Sequence, residues 1–410
     1  MSTPPPGKAG ALVEQVSSNG FCTGCGACES IAGSDTITMR MSRGGWLRPV
    51  VLKPPSGQAE AVIADVCPGL KVEHEQITPG HHAVWGPLRQ VRAGHATDAE
   101  LRRQGSSGGG ISAIANYLLE SDRVSFVAQI AVSGTDPLAN ELQISRSRDD
   151  VLHAAGSRYA PSAPLSRLQD VLALEQPFAF VGKPCDVAAL RRYAAHDKRL
   201  NTHLVCAISF MCAGIPSIKG THELLRKLGT SPEQVRAFRY RGDGWPGMAR
   251  AITNDGQTFE TDYNSSWGTV LNRHLQFRCK ICPDGTGEFA DIVCADAWYG
   301  KDGYPDFTER EGRSLILSRT DLGEEIVSQA ITRGAIEAEY IPVEEIARMQ
   351  PYQVNRKQVV WGRRLAARMA RGSAPHYVNL GLVRAALSAR PVSALRDALG
   401  TYRRAKGEPQ

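Results

Sequence analysis

The stretch FCTGCGACES, residues 21–30, sets Cys22, Cys25 and Cys28 at intervals of three. A CxxCxxC loop turns successive thiolates toward one point, as a four-iron cluster requires, and in bacterial ferredoxins a Cys-Pro completes the run. Cys67-Pro68 is the candidate for that fourth ligand, 39 positions after Cys28. Zinc competes for thiolates, but zinc sites usually pair two separated CxxC units. Cys22, Cys25, Cys28 and Cys67 therefore read as one iron–sulfur site, against the plain alternative of unligated buried thiols.

Six of the ten cysteines remain. RCKICPD supplies a CxxC, Cys279 and Cys282, whose partners must come from elsewhere in the fold. Cys185 and Cys212 each follow an apolar strand-like run, where loops present ligands, while Cys294 lies only 12 positions after Cys282. All three compete for two places. Cys206, inside the apolar run LVCAISF, reads as core. The loop GSSGGG (Gly105 to Gly110) precedes an apolar helical pattern, so its backbone N–H groups and the helix dipole suit a pyrophosphate, although Gly/Ser turns are common. FRYRGDGWPG mixes Arg, Tyr and Trp as a base-stacking surface does, yet Asp243 and the Gly/Pro turn interrupt it, and a buried domain joint is expected. His81 and His82 follow a Pro-Gly turn and are expected in a solvated loop. No Ser-His-Asp or paired-carboxylate pattern stands out, and no catalytic residue is assigned.

An α/β body must position these groups. From about 90 to 350, helical patterns (GISAIANYLLES, DVAALRRYAA, GTHELLRKL) alternate with compact apolar runs (RVSFVAQIAVSG, QPFAFVG, THLVCAISFMC) of strand length. Ser231, with Pro232 and Gln234, predicts a capped helix start. The sequence divides into a cysteine-bearing segment over 1–85, the body over 86–350 and a basic tail over 351–410. Within the first, residues 1–20 read as a flexible lead and WLRPVVL and AVIADV as strands. The tail reads as an appendage of basic helices. Its 12 Lys or Arg face two acidic residues, whereas the whole chain carries only +6, so the basic character belongs to the tail. At 42% hydrophobic and 22% charged, the composition is that of an ordinary globular enzyme. No signal peptide and no membrane span are expected. A cytoplasmic location follows, where ten cysteines point to metal or redox chemistry over disulfides.

Taken in order, QGSSGGGISAIANYLLE, AAGSRYAPS, FVGKPCDVAALRR, FMCAGIPS, FRYRGDGWPG and RCKICPDGTGEFADIVCADAW resemble the coenzyme F-420 hydrogenase/dehydrogenase beta-subunit family, over roughly residues 20 to 350. The resemblance implies a flavin and iron–sulfur oxidoreductase with FAD and two [4Fe-4S] clusters, the first in a small ferredoxin-like segment. It places Gly105, Ser106, Ser107, Gly108 and Gly109 at the pyrophosphate, and Ser157, Tyr159 and Lys183 near the flavin. There Ser157 would hydrogen-bond, Tyr159 would stack, and Lys183 would support a reduced, anionic isoalloxazine. It also favours Cys185 and Cys212 over Cys294 as partners of Cys279 and Cys282. The implied partners are a ferredoxin-like or deazaflavin electron carrier and an unidentified small-molecule substrate, with no nucleic acid. The oligomeric state is left open, a homo-oligomer included. A non-catalytic electron-transfer subunit of a larger complex is the competing function, and a zinc-binding nucleic-acid module a third.

Overall fold

Four short apolar runs make the centre of the molecule: Phe126–Val132, Phe178–Val181, Leu204–Phe210 and Ile292–Asp296. They pair in parallel, in the order 126–178–204–292, inside one eight-stranded sheet. The computed structural model describes residues 10–77, 80–301 and 304–407. Parallel strands covered on both faces read as continuous apolar runs, which is why Phe178–Val181 is buried throughout. Antiparallel strands extend the sheet: Ser314–Ser318, Gln90–Ala96 and Ile336–Tyr340 beyond Ile292–Asp296, and Asn140–Ser145 beside Phe126–Val132. Successive residues point to opposite faces. Phe126, Phe178 and Phe180 fill one core, while Val127, Ala179 and Ile208 fill the other beneath Ile114 and Leu118 of the helix Gly110–Glu120. A three-stranded sheet over Val235–Arg239, Ala249–Thr253 and Thr258–Thr261 carries its own small core around Phe238, Leu224 and Leu225.

The structure corrects four sequence expectations. AVIADV is helix, part of Gly57–Val66; Ser56 Oγ caps it by accepting from Ala59 N–H, and Ile63 and Val66 bury one face. Ser231 does form its capping box with Gln234, but only around the 3₁₀ turn Pro232–Gln234 before the chain enters a strand. The expected lead over residues 1–20 lies outside the described residues up to 9 and then becomes the helix Ala11–Ser18, with Val13 and Val16 buried.

The fourth concerns the tail. Its helices Pro351–Arg371, Leu382–Leu387 and Pro391–Gly407 are present, but the segment is not a loose appendage. His376–Val378 pairs in parallel with Lys71–Glu73 of the cysteine-bearing segment. Arg356 donates to the carbonyls of Cys212 (2.6 Å) and Cys279 (3.0 Å), and Lys357 is buried against Glu288 and Pro283 O (3.0 Å). Two cations of the expected basic appendage are thus interior parts.

Removing one partner of a buried ion pair costs about 3–5 kcal/mol. Lys357→Met is expected to lower unfolding stability by that order in urea titrations, with Lys357→Met/Glu288→Gln recovering much of it. Burial pushes the Glu288 carboxyl up, but Lys357 and His74 outweigh it and hold it at about 2. Its folded pKa is therefore depressed, so this stabilisation is full at neutral pH and fades as pH falls from the ordinary 4.5 toward about 2. The gap between wild type and Lys357→Met should narrow over that window.

Candidate functional site

A cavity of about 1150 Å³ opens at the carboxyl ends of the parallel strands, where open α/β sheets characteristically take their ligands. It exceeds the roughly 300–1,000 Å³ of an ordinary small-molecule pocket. Phe178–Val181 delivers Gly182 and Lys183 to its wall, Leu204–Phe210 delivers Met211 and Cys212, and Ile292–Asp296 ends on Asp296. Gly105, Ser106, Ser107 and Gly109, at the start of the helix Gly110–Glu120, line the same space, as do Ser157 and Tyr159. The two loops are joined where Ser157 N–H donates to Ser106 Oγ.

Gly108 departs from the expectation. It is absent from the cavity lining, and its N–H donates to Ser314 Oγ (2.9 Å) while its carbonyl accepts from Ala96 N–H (2.7 Å). A Cβ there would stand 2.7 Å from Ser314 N and 2.9 Å from Gly94 O. Glycine is needed at 108 for the loop to lie on the sheet, not for a ligand to approach.

Lys183 Nζ lies 2.7 Å from Asp186 and 2.9 Å from Ser162 Oγ, buried almost completely. Burial disfavours its ammonium form, but the Asp186 carboxylate outweighs this and raises its pKa. Both residues line the cavity, and the Asp186 charge also reaches Cys25 and Cys185. One ion pair therefore adjoins the cavity and both groups of cysteines.

Cys22, Cys25, Cys28 and Cys67 line one small pocket. Burial is the main cause that pushes the Cys25 thiol up to about 11 and Cys67 to about 12, and neighbouring thiols add to it. Cys28 is raised by burial and then by Cys25, Cys22 and Cys67. Cys185, Cys212, Cys279 and Cys282 make a second mutually interacting group. Burial raises Cys185, with Cys212 and Cys282 contributing, and Cys212 reaches about 12, with Cys279 and Cys282 contributing. Cys294 stands apart. Burial alone raises it to about 12, with no other thiol contributing, and it packs in the core of its strand. Cys206 is fully buried core, as expected. Four thiols crowded in apolar surroundings resist joint ionisation unless a cation answers them, and a coordinated metal does so by deprotonating its thiols outright. The donor chemistry of each group of four suits a metal cluster. Among the described residues, no group of three or more His, Cys, Asp or Glu side chains is placed to hold a metal ion.

Sequence reading missed a polar wall beside the glycine loop, where Asp296 pairs with Ser314 and Gly244 N–H donates to Arg103 O (3.0 Å). Arg241, fully buried, holds Asp296 through two bonds (2.9 and 2.6 Å), and Trp245 Nε1 donates to the same carboxylate (2.7 Å). Trp245 stacks on Trp298 at 4.8 Å, and Arg241 lies over the Trp298 and Tyr263 rings. The FRYRGDGWPG stretch is largely buried, and its Arg241 forms cavity wall; its alternating Arg and aromatic residues were the available signal. His81 and His82 correct another expectation. The His81 side chain is 3% exposed and 3.8 Å from Glu288, and His82 Nδ1 accepts from Val84 and Trp85 N–H groups. Neither is a solvated loop residue, because Glu288 and the turn that follows draw both inward.

Two family models match: "Coenzyme F420 hydrogenase/dehydrogenase, beta subunit N-term" over residues 91–169 and its C-terminal counterpart over 176–344. The coenzyme F420 hydrogenase subunit beta of Methanococcus voltae is 26% identical over 306 residues, 68% of this chain and 97% of that one. A coenzyme F420-dependent sulfite reductase of Methanocaldococcus jannaschii is 25% identical over 360 residues, 84% of this chain and 50% of its own. The chloroplastic 7-hydroxymethyl chlorophyll a reductase of Oryza sativa subsp. japonica is 25% identical over 229 residues, 56% of this chain and 46% of that protein. In fold, a chain of the F420-reducing [NiFe] hydrogenase complex from Methanosarcina barkeri superposes with a TM-score of 0.54 at 20% identity, covering 70% of this chain and 95% of that one. The tail helices begin beyond residue 344, past the family match.

Gly108→Val is expected to destabilise the protein by about 1–3 kcal/mol or more through overpacking against the sheet. Ser107→Ala removes only a hydroxyl contact to Ser314 (3.0 Å) and should cost about 1 kcal/mol. Equal thermal midpoints for the two variants would contradict this account of the loop.

Proposed function

The chain belongs to the coenzyme F420 hydrogenase/dehydrogenase beta-subunit family, and from that premise we propose that it is an FAD-dependent iron–sulfur oxidoreductase. In this reading residues 1–85 form a ferredoxin-like segment holding one [4Fe-4S] cluster on Cys22, Cys25, Cys28 and Cys67. Residues 86–350 hold FAD and a second cluster on Cys185, Cys212, Cys279 and Cys282. The observation that carries it is the Lys183–Asp186 pair, which lines the cavity and is buried there while the charge of its carboxylate acts on a cysteine of each group. Bound there, FAD would supply the exchange between two-electron and one-electron chemistry, and the clusters single-electron storage.

The chain's own residues have definite tasks in this reading. Ser106, Ser107 and the first turn of the helix Gly110–Glu120 offer hydroxyls and a positive helix end to a pyrophosphate. Tyr159, set against Trp267 at 4.7 Å, forms an aromatic wall for a flat ring. Lys183, fixed by Asp186 and Ser162, presents a buried N–H donor to the same space. Gly24 N–H points at Cys22 Sγ and Ile215 N–H at Cys279 Sγ, both at 3.4 Å, the kind of contact that tunes a cluster's potential. Arg363, Arg396 and Arg404 bring the tail to the cavity lining, so an acidic one-electron carrier or an anionic two-electron carrier would approach there, more weakly at high salt.

Protein purified without oxygen is expected to be brown, to show flavin absorption, and to contain about eight iron per chain, four for each cluster. Iron near four would remove one cluster, and stoichiometric zinc without iron would remove the whole reading. Cys185→Ser and Cys212→Ser should each change the reduced-cluster spectrum, and Cys294→Ser should leave it unaltered; the reverse would overturn the ligand set. The hydrogenase beta-subunit relatives support a second reading, an electron-transfer subunit without a substrate of its own. Turnover of a small substrate by the isolated protein with reduced ferredoxin, deazaflavin or dithionite separates the two.

A further inference from the structure

Between the two cysteine groups lie two buried side chains that the tasks above leave unused. Gln276, 2% exposed, donates from Nε2 to Thr23 O (3.2 Å), in the loop between Cys22 and Cys25, and the same nitrogen lies 3.5 Å from Cys279 Sγ. An amide nitrogen carries two hydrogens, so one side chain serves both groups at once. Arg278, also 2% exposed, donates from Nη2 to Pro68 O (2.9 Å), the carbonyl next to Cys67. Its charge meanwhile acts on Cys282, Cys185 and Cys279. We propose that Gln276 and Arg278 are positioning residues that bridge the two cluster sites and set the charge both of them sense; this rests on the two-cluster reading above.

The buried charge of Arg278 meets the Tyr377 ring but, among the described residues, no carboxylate. Among the described residues no carboxylate lies within ion-pair distance of Arg278, and its Nε and Nη1 have no hydrogen-bond partner. A guanidinium buried in this way is costly unless an anion compensates it. The anions available to it are cysteine sulfurs, which are thiolates only when they hold metal. Tyr377 supports the arrangement from the tail. Its ring lies 5.5 Å from the guanidinium, and its hydroxyl donates to Ile281 O (2.6 Å), between Cys279 and Cys282. The guanidinium, bonded to Pro68 O next to Cys67 and carried by the residue directly preceding Cys279, is a fixed cation that favours an added electron nearby, and a donor to Cys279 Sγ acts in the same direction.

The test is a potentiometric titration followed by electron paramagnetic resonance, with iron content as the control. Arg278→Gln, with iron retained, should lower both midpoint potentials enough to change the oxidised-to-reduced ratio about tenfold, about 59 mV for one electron. Arg278→Lys, which restores the charge, should return most of that shift, a rescue that a purely structural role would not produce. Gln276→Leu should shift chiefly the second site. Potentials in Arg278→Gln equal to those of the wild type at full iron content would overturn the proposal. Should Arg278→Gln fail to fold, Gln276→Leu decides: a lowered midpoint at the second site with iron retained supports the bridge, and wild-type potentials at full iron content refute it. A wild type lacking iron, or holding only one cluster, would instead bring down the two-cluster reading and this inference with it.

Discussion

Lys183 and Asp186 stand 2.7 Å apart with almost no exposure, and neither could be buried without the other. The strand Phe178–Val181 ends just before them, and the helix Pro184–Tyr193 begins between them, so the pair sits where the sheet turns into its crevice. The cavity, the first cysteine group and the second all adjoin it. The surrounding polar structure follows the same rule of answering one buried charge with another.

Three further pairings extend that rule. Arg241 and Asp296 line the same cavity, Lys357 and Glu288 lock the tail beside Cys282 and Pro283, and Arg191 holds Asp291 at the base of the sheet. Arg278 and Arg356 break the pattern. Both are buried cations that meet carbonyls and cysteine sulfurs in place of carboxylates. The tail reaches the second cysteine group through Arg356, Lys357 and Tyr377, each bonded to a carbonyl at or beside one of its cysteines.

The tail accordingly has two characters. One face of Pro351–Arg371 is interior and polar, while Trp361, Leu365 and Met369 on another face are exposed at helical spacing. Among the described residues, no helix is long and apolar enough to cross a membrane. The family match ends before this segment, so its contribution to the second cysteine group is a property of this chain that the matched region does not contain.

Much of the site was legible in the sequence because it rests on local pattern. CxxCxxC and CxxC spacings, the glycine loop before an apolar helix, and compact β-branched runs each depend on residues within a few positions of one another. The α/β body and its buried strands followed from them. Other features were decided by contacts between distant segments. AVIADV became helix because a serine cap and two inward apolar residues outweighed its strand-like composition. Gly108 proved to be a packing position because Ser314, more than 200 residues later, lies beneath it. His81 was drawn inside by Glu288, and Cys294 was separated from the other thiols by its place within a buried strand. Spacing along the chain can say which residues are able to share a site; only the tertiary structure decides which buried charges and thiols meet, because that depends on which surfaces the sheet and its helices bring into contact.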